Sequence, residues 1–158
     1  MPMQPVLPHR FNVRVYGILI NADRQILLSD EYIRGGYYTK FPGGGLEFGE
    51  GTRECLTREW LEETGQQIKA GEHVYTTDFF QLSAFDELSQ IISIYYLVQP
   101  TTPFTARTII QPFDFRVPRD AVQVEALRWM DWKDFNEDKV SLPIDKVVAG
   151  MLKRRLPA

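Results

Sequence analysis

Hydrophobic and polar positions along the chain predict a series of strands with two helices. An apolar run at residues 11–20, rich in β-branched and aromatic side chains, is typical of a mostly buried strand. A turn at 21–23 follows, and we interpret residues 25–32 as the hairpin partner of the first strand. Further strands are predicted at 37–41, 74–82, 90–98 and within 124–135, where a pair of tryptophans ends the run.

Two stretches carry helix signals. Gly51 and Thr52 precede a run of apolar and charged residues that Gly65 ends, which predicts a helix over residues 53–64. Residues 144–156 have the amphipathic spacing of a second, C-terminal helix. One helix early and one late among the strands predicts a mixed β-sheet packed between helices, an α/β/α sandwich of the α/β (α+β) class.

Composition and charge narrow the functional classes. The 158 residues are 44% hydrophobic and 25% charged, as expected for one globular domain. A net charge of -3 gives no general attraction to nucleic acid or membranes, so an anionic small molecule would need local basic groups or bridging cations. The single cysteine, Cys55, and the lack of a signal peptide or a membrane-length apolar window predict a cytoplasmic protein without disulfides.

The stretch GGGLEFGEGTRECLTREWLEETG at residues 43–65 places three glutamates close together after a run of glycines. On the predicted helix, Glu59, Glu62 and Glu63 fall within an arc of about 100°. Their like charges repel, so the cluster is either a solvated acidic face or a site for a cation. Mg²⁺ prefers oxygen ligands and often bridges carboxylates to substrate phosphate, and the glycines allow close backbone approach.

Residues 44–65 resemble the box motif of the Nudix hydrolase family. The matching residues, at the family's spacing, are Gly44, Glu50, Arg58, Glu59, Glu62, Glu63 and Gly65. Gln66 departs from the pattern, because the family usually has an aliphatic residue there, and we expect Ile68 to take over that packing. The resemblance implies a Nudix-type α/β/α sandwich.

The resemblance also implies a reaction and a cofactor. Nudix enzymes hydrolyse a nucleoside diphosphate linked to another group, using Mg²⁺ or Mn²⁺. The implied metal ligands are Glu59, Glu62, Glu63 and the backbone carbonyl of Gly43. One of the three glutamates serves as the base for the attacking water in some members, which we assign to Glu62. Glu50 and Arg58 are implied to support the loop and helix.

Five further positions are candidate contacts. Backbone amides of Gly44 and Gly45 are expected to face phosphate oxygens. Lys40, directly before the glycine run, either contacts phosphate or is only solvated. Arg14, in an otherwise apolar strand, either contacts phosphate or base, or makes an edge or partner contact. Glu125 matches a downstream acid that some family members use as base or extra ligand, and otherwise is a surface charge.

Three functions on this fold are compared. The leading hypothesis is a Mg²⁺-dependent pyrophosphohydrolase acting on a small nucleotide-type substrate. The alternatives are a nucleotide-sensing module without turnover, and an isomerase. The complete set of acidic positions favours the hydrolase. The substrate is left open between nucleoside triphosphates, nucleotide sugars and similar molecules.

One long connection interrupts the predicted single domain of residues 1–158. The 100–120 segment contains four prolines and short strand-like pieces at 108–110 and 113–115. Long connections in compact domains tend to be functional. We therefore expect an insertion that forms a hairpin-like flap beside the substrate cleft or a homodimer contact. Residues 1–9 are expected to be a flexible tail.

Overall fold

The computed structural model describes residues 1–2 and 7–156, so the predicted tail at residues 1–9 falls partly on residues outside the description. Eight strands, two α-helices and a short 3₁₀ turn follow one another along these residues. They are β1 (Arg10–Ile18), β2 (Gln25–Ile33), β3 (Gly36–Lys40), β4 (Gly43–Gly45), α1 (Thr52–Thr64), β5 (Ile68–Thr76), β6 (Ser89–Pro100), β7 (Thr108–Ile109), β8 (Gln123–Asp131), the 3₁₀ turn (Glu137–Lys139) and α2 (Pro143–Arg155).

The strands form two four-stranded mixed sheets. The first has the order β4-β1-β6-β5, in which β1 and β6 run parallel and the other pairs antiparallel. The second has the order β3-β2-β8-β7, in which β7 runs parallel to β8 and the other pairs are antiparallel. The mixed character agrees with the expectation from the sequence, whereas the division into two sheets was not predicted.

The two helices cover opposite sides of the strands. Successive side chains of a strand point to opposite faces, so Val15 packs toward α1 while the next residue, Tyr16, packs toward α2. The core on the α1 side contains Val15, Leu19, Leu27, Cys55, Leu56, Trp60 and Val98. The core on the α2 side contains Tyr16, Ile18, Ile26, Leu28, Tyr95, Ile144, Val148 and Leu152. This arrangement confirms the predicted α/β/α sandwich.

Both helices begin and end within one residue of the predicted bounds. Gly65 ends α1 in the left-handed conformation, with φ of 71°, and its N–H donates to the Leu61 carbonyl. Pro143 begins α2, where its missing N–H is harmless, and three basic residues occupy the last turn. Within the described residues, neither helix is long and apolar enough to span a membrane.

Four local predictions are wrong, including the strand-like piece at 113–115. Ile20, two residues after β1, forms a single bridge to Ile26 of β2, but β1 and β2 do not form a hairpin, because β4 and β6 already occupy both edges of β1. Residues 43–45, expected as loop, form β4. The strand predicted at 74–82 runs instead from Ile68 to Thr76. In the 100–120 segment, only β7 is a strand, and Phe113 adopts a left-handed φ of 55°.

Candidate active site

The strand β4 brings glycines directly against α1. Gly44 pairs with Val15 of β1, and a Cβ on Gly44 would lie 2.2 Å from the carboxyl carbon of Glu59. A Cβ on Gly43 would lie 2.0 Å from the Val15 carbonyl oxygen. Only glycine allows these approaches. The glycine run therefore places the backbone of β4 in contact with one of the candidate metal ligands.

Arg58 is the centre of a hydrogen-bond network. Its Nε and Nη2 donate to both carboxylate oxygens of Glu50, at 2.8 and 2.7 Å. Its Nη1 donates to Glu59 at 3.0 Å and to Glu62 at 3.1 Å, and its Nη2 also reaches the Gly45 carbonyl at 3.1 Å. These hydrogen bonds from Arg58 lower the pKa of Glu50 to about 2. Arg58 thus joins the loop before α1 to the acidic face of the helix.

The three helix carboxylates differ in their surroundings. The Glu59 side chain is 14% exposed and the Glu62 side chain 60% exposed. Glu63 lies beside Glu59 at the rim of a cavity. Partial removal from water, followed by the charge of Glu125 and contact with Glu59, raises the pKa of Glu63 to about 9. The ionised form of Glu63 is therefore disfavoured unless positive charge is added beside it.

The donor set fits a divalent cation. In the part of the chain that the structure describes, no three His, Cys, Asp or Glu side chains already form a metal-binding group, and Glu59 and Glu62 are turned to Arg58 instead. The carboxylates nevertheless share one helix face, and the raised pKa of Glu63 indicates that ionising this cluster needs added positive charge. Hard oxygen ligands of this kind suit Mg²⁺ or Mn²⁺.

Glu125 joins this cluster from β8. It lies directly opposite Glu31 of β2 in the antiparallel register, and its charge contributes to the raised pKa of Glu63. Partial removal from water, followed by the charge of Glu31, raises the pKa of Glu125 itself to about 7. A carboxyl group with such a pKa exchanges its proton near neutral pH, which suits a general base.

Lys40 and Arg14 lie in the wall of a neighbouring cavity of about 370 Å³. The Lys40 ammonium is 3.4 Å from Glu31, and both side chains are only 6% exposed, so the expectation of a merely solvated Lys40 is wrong. Arg14 donates from Nε to the Tyr16 hydroxyl at 2.7 Å. Tyr16, with smaller contributions from Glu31 and Glu59, raises the pKa of Arg14. The cavity therefore carries positive charge close to the carboxylates.

Asp145, which the sequence pattern did not single out, faces the same cavity from the first turn of α2. It is 2% exposed. One carboxylate oxygen accepts a hydrogen bond from the Tyr95 hydroxyl, and the other, Oδ2, is the one buried side-chain oxygen or nitrogen among the described residues that lacks a partner. Burial raises its pKa to about 6, against the opposing effects of Tyr95 and Lys40. Acids are common in the first turns of helices, so the sequence carried no signal for a special role of Asp145.

A second cavity, of about 420 Å³, lies on the Glu63 side of the cluster. Its lining includes Ser29, Glu63, Glu125, Arg107, Phe115 and Arg116. The last three belong to the 100–120 segment, which thus lies beside the acidic cluster. The predicted homodimer contact through this segment stays a prediction.

Comparison with known proteins identifies the protein family to which this chain belongs. The NUDIX domain model matches residues 10–151, so the chain belongs to the NUDIX domain family. No curated protein sequence matches it significantly.

Solved structures share the fold. They include the E. coli ORF135 protein, with 22% identity over 94% of this chain and 95% of that chain and a TM-score of 0.65. A NUDIX hydrolase from Nitrosomonas europaea is 20% identical over 92% and 90% of the two chains, with a TM-score of 0.62. A MutT protein from Methanosarcina mazei Go1 is 17% identical over 94% and 97%, with a TM-score of 0.63.

Proposed function

We propose that the protein is a pyrophosphohydrolase that depends on a divalent cation and acts on a nucleoside diphosphate linked to another group. The observation that carries the proposal is the crowding of Glu63 with Glu59 and Glu125, beside a glycine strand that lies against Glu59, and the raised pKa of Glu63 calls for compensating positive charge. Membership of the NUDIX domain family supports hydrolysis of a pyrophosphate bond.

The cation would be held by Glu59, Glu62, Glu63 and the carbonyl of Gly43. When bound, such an ion neutralises the charge of the diphosphate and lowers the pKa of the attacking water. Arg58 acts as a positioning residue, because its two hydrogen bonds to Glu50 fix the guanidinium while Nη1 orients Glu59 and Glu62.

Glu125 is the better candidate for accepting the proton of the attacking water. Its pKa of about 7 allows it to take up a proton at neutral pH and release it afterwards. Glu62, the base assigned from the resemblance, is instead engaged by Arg58. We therefore place Glu62 among the metal ligands and Glu125 in the role of base.

The 370 Å³ cavity is proposed to receive the nucleoside end of the substrate. Lys40 and Arg14 supply positive charge toward the phosphates, and Arg14 is paired with Gly45 of β4. The contacts of the Gly44 and Gly45 amides with phosphate stay a prediction. The unpartnered Oδ2 of Asp145 can accept a hydrogen bond from an N–H group of a base. Buried polar atoms are rarely left unpaired, so a ligand donor is a physical reason for this one.

The test is a panel of nucleoside triphosphates, nucleotide sugars and other nucleoside diphosphate derivatives, assayed with Mg²⁺, Mn²⁺ or a chelator and scored by product identity. We expect hydrolysis of at least one compound with metal, none with chelator, and a loss of roughly 10²-fold or more in Glu59→Gln. Binding without turnover across the panel would favour a sensing module. Turnover that persists in chelator would contradict the proposal.

A further inference from the structure

The 100–120 segment is anchored to the C-terminal end of α1 by Gln66, the residue that departs from the family motif. Gln66 is 1% exposed. Its Nε2 donates to the carbonyl and the hydroxyl of Thr102, at 3.2 and 3.1 Å, and its Oε1 accepts from the Thr105 N–H at 3.1 Å. An aliphatic side chain makes none of these bonds. The departure therefore has a structural consequence, which is to hold the start of the segment.

A buried ion pair holds the other end of the segment. Asp30, which is 0% exposed, accepts hydrogen bonds from Nε and Nη2 of Arg128 at 2.7 and 3.1 Å. The same carboxylate accepts from the Phe113 N–H at 3.1 Å, while β7 pairs with β8 beside it. Burying an ion pair costs desolvation energy, so a pair that also binds the segment's backbone acts mainly by fixing geometry.

Two arginines of the segment lie near these anchors, Arg107 between them and Arg116 three residues after Phe113. Arg107 and Arg116 both line the 420 Å³ cavity, together with Glu63 and Glu125. Both are exposed, and in the described residues neither guanidinium has a hydrogen-bond or ion-pair partner, although Asp114 lines the same cavity. Unpaired guanidinium groups held by a fixed segment are suited to bind phosphate in a fork geometry.

From this arrangement we infer that Arg107 and Arg116 form a subsite for a phosphate group that the substrate carries beyond the cleaved diphosphate linkage. The inference rests on the proposed function, and it narrows the substrate class. A nucleoside triphosphate, which offers a further phosphate, is favoured over a nucleotide joined to a neutral sugar. Glu63, one of the proposed metal ligands, lies in the same cavity wall, so the additional phosphate would reach the arginines while the diphosphate lies against the cation.

The test compares two substrates with the same nucleoside, a triphosphate and a diphosphate joined to a neutral hexose. In a variant carrying both Arg107→Gln and Arg116→Gln, we expect kcat/KM for the triphosphate to fall on the order of tenfold or more through KM, because charged hydrogen bonds are lost. The value for the hexose compound should change less than twofold. Arg119→Gln, an exposed arginine of the same segment that does not line the cavity, is the matched control.

Equal losses for both substrates, or no loss for either, would overturn the subsite. A separate binding measurement distinguishes the absence of the subsite from the absence of the proposed hydrolysis reaction. Calorimetric titration with inorganic tripolyphosphate and Mg²⁺ should show binding that is on the order of tenfold weaker in the double variant, whether or not any nucleotide is hydrolysed. Unchanged tripolyphosphate affinity in the double variant would also reject the subsite.

Discussion

At the scale of single residues, the acidic groups of the site differ in proton affinity because their neighbours differ. Arg58 lowers the pKa of Glu50 to about 2, whereas partial desolvation and like charges raise the pKa of Glu125 to about 7 and of Glu63 to about 9. Glu50 therefore remains an anion that holds Arg58. Glu125 titrates near neutral pH, and Glu63 needs a cation beside it to ionise fully.

The first prediction at this scale concerns Glu125. Glu125→Gln should lower kcat by roughly 10²-fold, the usual contribution of a general base, while the Mg²⁺ affinity changes little. The native rate should rise with pH as Glu125 loses its proton and then level off, and this rise should be absent in the variant. Asp120→Asn, at a nearby exposed acid, is the control. A fall in kcat of less than about threefold would indicate that Glu125 is only a surface charge.

A second prediction concerns Asp145 and the pH dependence of stability. Its pKa is raised from 3.8 to about 6, so the folded state binds this proton more tightly than the unfolded state. The contribution to stability is full below about pH 4 and is lost as pH rises through about 6. A shift of about two pKa units corresponds to about 3 kcal/mol. As the pH rises through about 6, the free energy of unfolding of the metal-free native protein, relative to that of Asp145→Asn, should therefore fall by about this amount.

Urea denaturation from pH 4 to 7 measures this difference. Asp134→Asn, at an exposed aspartate near the 3₁₀ turn, serves as the control and should track the native protein. A native-minus-Asp145→Asn difference that stays constant over the whole range would show that Asp145 titrates alike in the folded and unfolded states.

At the scale of elements, Gln66 connects α1 to the 100–120 segment and fixes their relative position. The helix carries the acidic cluster, and the residue directly after its Gly65 cap makes three hydrogen bonds to the segment. The wall that bears Arg107 and Arg116 is thus fixed relative to Glu63. A single side chain couples the position of the arginines to that of the candidate metal ligands.

Replacing Gln66 by the aliphatic residue usual in the family tests this coupling. Gln66→Leu should leave Thr102 and Thr105 without their partners and increase the rate of trypsin cleavage after Arg107 on the order of tenfold, since an unmade buried hydrogen bond costs about 1–3 kcal/mol. Cleavage sites are assigned by mass spectrometry. Gln67→Leu, at the exposed neighbour, should cleave as the native protein does. Faster cleavage everywhere would instead indicate general destabilisation.

The sequence predicts those elements whose causes are local. The bounds of α1 follow from its flanking glycines, and the spacing within residues 44–65 identifies the acidic cluster. Pairing between distant strands has no local signal. The Arg128–Asp30 ion pair, the placement of Glu125 opposite Glu31 and the unpartnered oxygen of Asp145 depend on which strands become neighbours. The sheet division and these contacts therefore appear only in the folded chain.

At the scale of the whole molecule, the carboxylates of α1 and β8 tie stability to the cation. The two sheets bring Glu63 and Glu125 together although they are distant in sequence, and the metal-free fold carries their repulsion. Because the pKa of Glu63 is raised from 4.5 to about 9, this part of the stability falls as pH rises above about 4.5. A cation that binds only the folded state should offset the loss by mass action.

The last prediction follows from this balance. Mg²⁺ at about 100 times its Kd should stabilise the native protein by about 2.7 kcal/mol. For a domain of this size, that corresponds to a rise in melting temperature of about 5–10 °C.

At pH 8 and without metal, Glu63→Gln should be at least as stable as the native protein, because the repulsion is relieved. The same variant should lose most of the Mg²⁺-induced rise and lower turnover by roughly 10²-fold, since a ligand for the ion is removed. Glu87→Gln, at an exposed glutamate away from the cluster, should keep both properties. If Glu63→Gln were less stable than the native protein without metal and still had native activity, the glutamate cluster would be structural. A metal-binding role predicts the opposite, with metal-free stability kept and turnover lost.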